Sequence, residues 1–135
     1  MTLFVDTSVW SLALRRDTMP KGPEAQRLRE ALGGGESIYT TGIVLQELLQ
    51  GFQGPRAKAQ IVERFGVIPM IVPGRDDYID AAELHSDCRR HGIQIGTTEA
   101  LLAQLCIRHK LIMLAADLDF SRMTKWTPLQ LWHTQ

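Results

Sequence analysis

The sequence predicts an α/β fold, a three-layer α/β/α sandwich with a central, mainly parallel sheet. Short apolar runs recur at residues 3–5, 37–40, 67–72 and 111–115. Amphipathic helical stretches separate each run from the next, and that alternation is the signature of βαβ units. Acidic residues stand directly after two of the runs, Asp6 and Asp117, where helix-start chemistry begins. Ligands of open parallel sheets bind beyond the carboxyl ends of the strands, so these two residues occupy site positions.

Leu3-Phe4-Val5 reads as a short buried strand, and Thr7-Ser8 opens the helix that follows. Asp6 between them serves as a helix cap, as a site residue, or as both. Trp10 and Leu14, four apart, share a face of that first helix. A polar loop with Pro20 and Pro23 leads to a helix over 24–32, with Ala25, Leu28 and Leu32 as its apolar positions. Gly33-Gly34-Gly35 stops it. No Lys-Ser/Thr pair follows those glycines, which excludes a P-loop. A second strand is expected at 37–40, followed by a helix over 43–52. Glu47 lies in that helix among Val44, Leu45, Leu48 and Leu49, either as part of a site or on a solvent stripe with Gln46 and Gln50.

An amphipathic helix is expected over 56–65. Pro69 marks the extended run at 67–72 as an edge or irregular strand. Residues 76–91 form a long helix that closes at Gly92. Arg89-Arg90-His91 in its last turn suits the helix dipole and is also a candidate RNA contact. After Ile93 and Ile95, Thr97 or Thr98 caps a helix running to His109, with Glu99 at its positive end. The run at 111–115 is the most hydrophobic strand, and Asp117 and Asp119 lie just beyond it. The tail, with Trp126 and Trp132, is expected to supply a last strand.

With 135 residues, 44% apolar and 22% charged, the chain has the composition of one soluble globular domain. No apolar run is long enough to span a membrane, and no signal-peptide pattern is seen, so a cytoplasmic protein is expected. Cys88 and Cys106 sit inside helical patterns as buried free thiols, consistent with a reducing compartment. Lysines and arginines balance the acids, 15 against 15. Bulk charge therefore does not hold a nucleic acid here, and an acidic site with a local basic rim is compatible with that balance.

Asp6, Glu47, Glu99 and Asp117 all fall after, or early in helices after, short extended segments, so they can converge on one rim of the sheet. Packed carboxylates repel and are costly unless a cation sits among them. Oxygen-only ligands select a hard divalent ion, Mg²⁺ or Mn²⁺. The scattered histidines offer no zinc spacing, and neither a nucleophile elbow nor a dinucleotide fingerprint is present. Metal-assisted chemistry on a phosphate ester is what these residues allow.

Val5-Asp6-Thr7-Ser8-Val9-Trp10, Val44-Leu45-Gln46-Glu47-Leu48-Leu49-Gln50-Gly51, Glu99-Ala100-Leu101-Leu102-Ala103 and Leu114-Ala115-Ala116-Asp117-Leu118-Asp119-Phe120 resemble, in order and spacing, the four acidic motifs of PIN-domain ribonucleases. Within that superfamily the chain is most similar to the VapC toxins of bacterial toxin–antitoxin pairs. The resemblance implies a single PIN-like domain over 1–135 and a metal-dependent endoribonuclease acting on RNA. Asp6, Glu47, Glu99 and Asp117 would be both the catalytic acids and the ligand set for Mg²⁺ or Mn²⁺. Asp6 and Glu99 would hold the ion most directly, Glu47 and Asp117 would act through its waters, and Thr7 or Ser8 would support the site. Asp119 is a candidate ligand for a second ion or a turn cap.

The same resemblance implies a VapB-like antitoxin as partner and a homodimer or a hetero-oligomer with that antitoxin. Trp10, Leu12 and Leu14, or the helix over 43–52, are candidate contact surfaces if they are not core. Arg15, Arg16, Lys21, Arg56 and Lys58 are candidate basic rim residues. The chain departs from the pattern at Glu99, where the family usually has Asp, and at Ala115, where a hydroxyl is usual. Those departures keep open a catalytically silent PIN-like module that binds RNA or protein. A receiver-type phosphorylation domain lacks its required phosphoacceptor Asp and following Lys here.

Overall fold

A computed structural model describes residues 2–15 and 22–133 of the chain. Its sheet is built around β1 (Leu3–Val5), every residue of which is buried. Parallel neighbours flank it on both sides: β2 (Ile38–Thr41), with Leu3 opposite Ile38, and β4 (Ile112–Leu114), with Val5 opposite Leu114. β3 (Met70–Ile71) and β5 (Gln130–Leu131) are two-residue edges, giving the order β3-β2-β1-β4-β5, parallel throughout. The expected edge strand before Val72 is thus present but short. Pro69 cannot donate to the ladder, though its carbonyl accepts the Thr40 N–H at 3.0 Å.

From β1 the chain moves outward through β2 to β3, then returns to the far side of β1 for β4 and β5. Parallel crossovers are right-handed, so this reversal puts the two sets of helices on opposite faces. α1 (Thr7–Ala13), α2 (Gly22–Gly34), α3 (Gly42–Gly51) and α4 (Pro55–Phe65) pack with one another on one face. α5 (Arg75–Arg90), α6 (Thr97–His109) and α7 (Leu118–Met123) form the other. The arrangement is the expected three-layer α/β/α sandwich with a parallel sheet. The reversal between β1 and β4 is also a topological switch point, where the carboxyl ends of adjacent strands open a crevice.

The first helix layer is locked by Trp10, which is fully buried and packs its ring 4.8 Å from that of Phe65 of α4. Trp10 is core, and it presents no surface to a partner. Leu12 and Leu14 are partly buried against the same core. α2 runs through Gly33 and Gly34 and ends at Gly35, whose φ of 69° is the left-handed conformation glycine favours. Arg27 of α2 then makes a two-pronged pair with Glu36, at 2.8 and 2.6 Å, fixing the turn into β2.

The Arg27 guanidinium holds the Glu36 carboxyl below its ordinary value of 4.5. Its contribution to stability is present above that value and is lost as pH falls through the lowered one. Glu36→Gln should therefore lower the melting temperature at neutral pH, and the gap from wild type should close on acidification. A thermal melt series from pH 7 to pH 3 checks this.

α5 and α6 form an antiparallel pair. Asp77 in the first turn of α5 accepts the Gly74 N–H at 2.8 Å and pairs with Arg108 near the end of α6 at 3.2 Å. The end of α5 therefore returns to the beginning of α6. The connecting residues 91–96 form no strand, although Ile95 is buried and Ile93 half-buried. No helix is long and apolar enough to cross a membrane among the described residues.

Candidate active site

The site builds up from the end of β1. Asp6 leaves the strand in extended conformation and caps α1, the first of the roles open to it in the sequence. One carboxylate oxygen accepts both the Ser8 N–H, at 3.2 Å, and the Ser8 hydroxyl, at 2.6 Å. Asp6 is only 7% exposed. Burial pushes its pKa above the ordinary 3.8, the Ser8 bonds pull it partly back, and the charge of Asp117 pushes it up again.

Ser8 does more than support Asp6. Its Oγ also accepts the Ala116 N–H at 3.2 Å. The Asp6 N–H meanwhile donates to the Leu114 carbonyl at 2.9 Å. One hydroxyl thus ties the end of β1 to the segment leaving β4. Position 115 is a buried alanine here.

Glu47 is half-buried on α3 and accepts the Thr7 hydroxyl at 2.9 Å. It does not lie on a solvent stripe with Gln46 and Gln50, both of which are less buried or turned out. Thr7 on α1 and Ser8 beside it therefore each serve one acid. The Ser8–Asp6 pairing is local, whereas the Thr7–Glu47 pairing, 40 residues apart, carries no local signature that could have revealed it.

Glu99 is the third residue of α6, and the cap position is Gly96, not Thr97 or Thr98. The reason is visible in the side chain of Glu99, which folds back over Gly96. A Cβ there would lie 2.8 Å from both of its carboxylate oxygens. Gly96 has extended backbone that alanine adopts without strain. Gly96→Ala should therefore leave the fold intact while displacing the Glu99 carboxylate. A melt within a few degrees of wild type, together with a clear loss of divalent-ion affinity, is the expected result.

Asp117 caps α7, its Oδ1 accepting the Asp119 N–H at 2.9 Å. Asp119 itself is half-buried in the first turn and lies 3.7 Å from Arg122. Glu99, Asp117 and Asp119 each bring one oxygen within 4.8 Å of the others. Asp119, open to two roles in the sequence, thus joins the cluster. Asp6 and Glu47 stand outside this triplet, Asp6 linked to it through Ser8 and through the charge of Asp117. The donor set is all oxygen and carries like charges in close company, which is what a hard divalent cation offsets.

Cys106 lies under this site, and burial and the Asp6 charge together push its thiol far up, so it remains protonated. Cys88 is likewise buried and free. At the same edge of the sheet, Ile43, Tyr78, Ala82, His85, Thr97 and Leu101 line a largely apolar groove of about 540 Å³. Of the expected basic rim, Arg15 sits 6.0 Å over the Phe52 ring, and Arg56 and Lys58 are exposed on α4. Arg16 and Lys21 lie outside the described residues.

The fold is similar to that of several solved toxin–antitoxin complexes. The VapBC2 complex of Rickettsia felis bound to a promoter DNA fragment superposes with a TM-score of 0.76 at 19% identity, covering 98% of each chain. DNA-bound VapBC of Salmonella typhimurium gives 0.75 at 18% identity, covering 98% of this chain and 97% of that one. VapC20 of Mycobacterium tuberculosis, a sarcin–ricin loop cleaving toxin, gives 0.69 at 18%, covering 89% and 93%. No curated protein matches the chain. The family profile described as PIN domain matches residues 3–125, which takes in the strand-end acids and strands β1 to β4, and the chain belongs to that family.

Proposed function

We propose that this PIN domain is a metal-dependent endoribonuclease and the toxin of a toxin–antitoxin pair. The observation that carries the reading is the meeting of Glu99, Asp117 and Asp119 beside buried Asp6 at the β1–β4 switch point. Asp6, Glu47, Glu99 and Asp117 are the acidic set we assign to the ion, with Asp119 as a fifth member. The donor chemistry fits Mg²⁺ or Mn²⁺. When bound, such an ion lowers the pKa of a coordinated water and neutralises charge on the phosphate being attacked.

The chain's own residues supply the geometry. Ser8 fixes the Asp6 carboxylate and couples it to the backbone before Asp117. Thr7 aims Glu47 from α3 toward the same rim, where it orients the attacking water. Gly96 gives Glu99 the room to reach back, so the longer side chain serves where the family usually has Asp.

Residues 1–135 act as one domain in this reading, in the cytoplasm. The structural similarity to VapBC complexes supports a VapB-like antitoxin that covers the acidic rim, and assembly as a homodimer or as a hetero-oligomer with that antitoxin. RNA is the substrate class we assign, and VapC20, similar in fold, is described as a sarcin–ricin loop cleaving toxin.

The test is cleavage of total cellular RNA by purified, antitoxin-free protein with Mg²⁺, with Mn²⁺ and with EDTA. Fragments that require the ion and vanish in Asp6→Ala are expected. Folded protein that cuts nothing with either ion would overturn the reading in favour of a silent binding module.

A further inference from the structure

The end of α5 carries a feature that the acidic centre does not use. His91 stacks on Trp126, with ring centroids 4.1 Å apart and planes inclined by 22°. His91 is held by its Nδ1 against the Asp87 carbonyl at 2.9 Å. Trp126 follows α7, its N–H bonded to the Met123 carbonyl at 3.0 Å. With His91 stacked on its ring, Trp126 is still 54% exposed. An exposed tryptophan in a core-forming chain has a large apolar surface facing water.

Cations adjoin the pair in sequence. Arg89 and Arg90 precede His91, and Lys125 precedes Trp126, all exposed. Arg90 pairs with Asp87 and Arg122 with Asp119. Arg89 and Lys125 make no ion pair among the described residues. Aromatic faces bordered by unpaired cations are the hardware by which proteins hold single-stranded nucleic acid: bases stack on the rings and phosphates meet the charges. The platform also lies on the acidic side of the molecule. α5 and α6 are antiparallel, so His91 stands at the end of the pair where Glu99 begins α6. Trp126 lies seven residues from Asp119, most of them in α7 and one tight turn, a separation of at most about 15 Å by helix rise and turn geometry.

We infer that the His91–Trp126 stack, with Arg89 and Lys125 beside it, is a subsite for an unpaired RNA base a few nucleotides from the scissile phosphate. The inference rests on the ribonuclease reading and adds to it where the strand is gripped. It also gives the Arg89-Arg90-His91 cluster a role beyond favourable placement at a helix end. A base stacked on Trp126 extends the existing stack, and Arg89 and Lys125 neutralise the phosphates on either side.

Binding is read separately from cleavage, using the Asp117→Asn protein in EDTA titrated with a fluorescein-labelled single-stranded RNA 12-mer and, in parallel, a duplex of the same sequence. Trp126→Ala in that background should weaken single-strand binding about tenfold, within the range that one base–aromatic stack contributes. Trp126→Phe should restore most of the affinity, and Arg89→Ala should lower the salt dependence by about one phosphate contact. Melting curves of each variant confirm folding. Unchanged single-strand affinity in Trp126→Ala would overturn the subsite and turn attention to a protein partner for the patch. An equal loss on single strand and duplex would also overturn it, since base stacking needs an open strand. Failure of wild type to cleave any RNA would count against the nuclease itself, whereas cleavage by wild type with unchanged binding by Trp126→Ala would count against the subsite alone.

Discussion

Asp6→Asn should reduce RNA cleavage at least about 100-fold, since a residue assigned to the ion itself should cost no less than an outer partner of a metal ligand, whose loss costs up to about 100-fold. In the metal-free protein the same change should raise the melting temperature by a few degrees. Asparagine still caps α1 and still offers an oxygen to Ser8. What it removes is a carboxylate buried beside Asp117, whose pKa burial has raised. A carboxyl that is harder to ionise in the folded state gives full stability below its ordinary pKa and costs stability as pH rises through the raised one. The gain from asparagine is therefore expected at neutral pH and should disappear near pH 3.8 and below. Added Mn²⁺ should reverse the ranking, because a ligand of the native state stabilises wild type more than the variant. Melts at pH 7 and pH 3.5, with and without the ion, check the three stability expectations, and an RNA cleavage assay checks the first.

The second large effect is on folding. Trp10→Ala should cost about 3–5 kcal/mol, as large-to-small changes at buried aromatic sites do. For a chain of this size that corresponds to a fall in melting temperature of about 12–20 °C. Trp10 is completely buried and bridges α1 to Phe65 of α4. Its indole N–H nonetheless has no acceptor among the described residues. A buried donor without a partner is a penalty that phenylalanine removes while keeping most of the packed surface. Trp10→Phe should accordingly stay within about 1 kcal/mol of wild type. A chemical-denaturation curve for each variant separates the two outcomes. If phenylalanine proved as costly as alanine, the indole N–H would have a partner that matters.

These two residues also mark what the sequence makes legible. Asp6 could be placed because a strand end followed by helix-start residues is a local pattern, and the same holds for Asp117 after the apolar run at 111–115. The parallel sheet followed from the alternation of such runs. Trp10 was open between core and surface because helical spacing shows a face and not what covers it. Phe65, which covers it, is 55 residues away.

The fine structure of the site was hidden for the same reason. Glu47 reads equally as polar stripe or site residue, and the Thr7 hydroxyl that bonds it lies 40 residues away in sequence. Ser8 reads as helix-start chemistry, yet its hydroxyl also accepts the N–H of Ala116, 108 residues away in sequence. Gly96 reads as a simple breaker before a threonine cap. Its use as the cap itself depends on where the Glu99 side chain goes. Asp119 is the reverse case, since nearness to Asp117 in sequence left capping and ligation undivided, and only the position of Glu99 from α6 groups all three.

The central claim is that these carboxylates form one divalent-ion centre. Its most direct test is titration of Mn²⁺ into purified, metal-free protein, followed by calorimetry, beside Asp117→Asn and Glu99→Gln. Saturable binding to wild type, strongly weakened in both variants and matched by the ion concentration that supports RNA cleavage, is the predicted result. Absence of Mn²⁺ binding to folded wild-type protein, or binding unchanged by both substitutions, would contradict it.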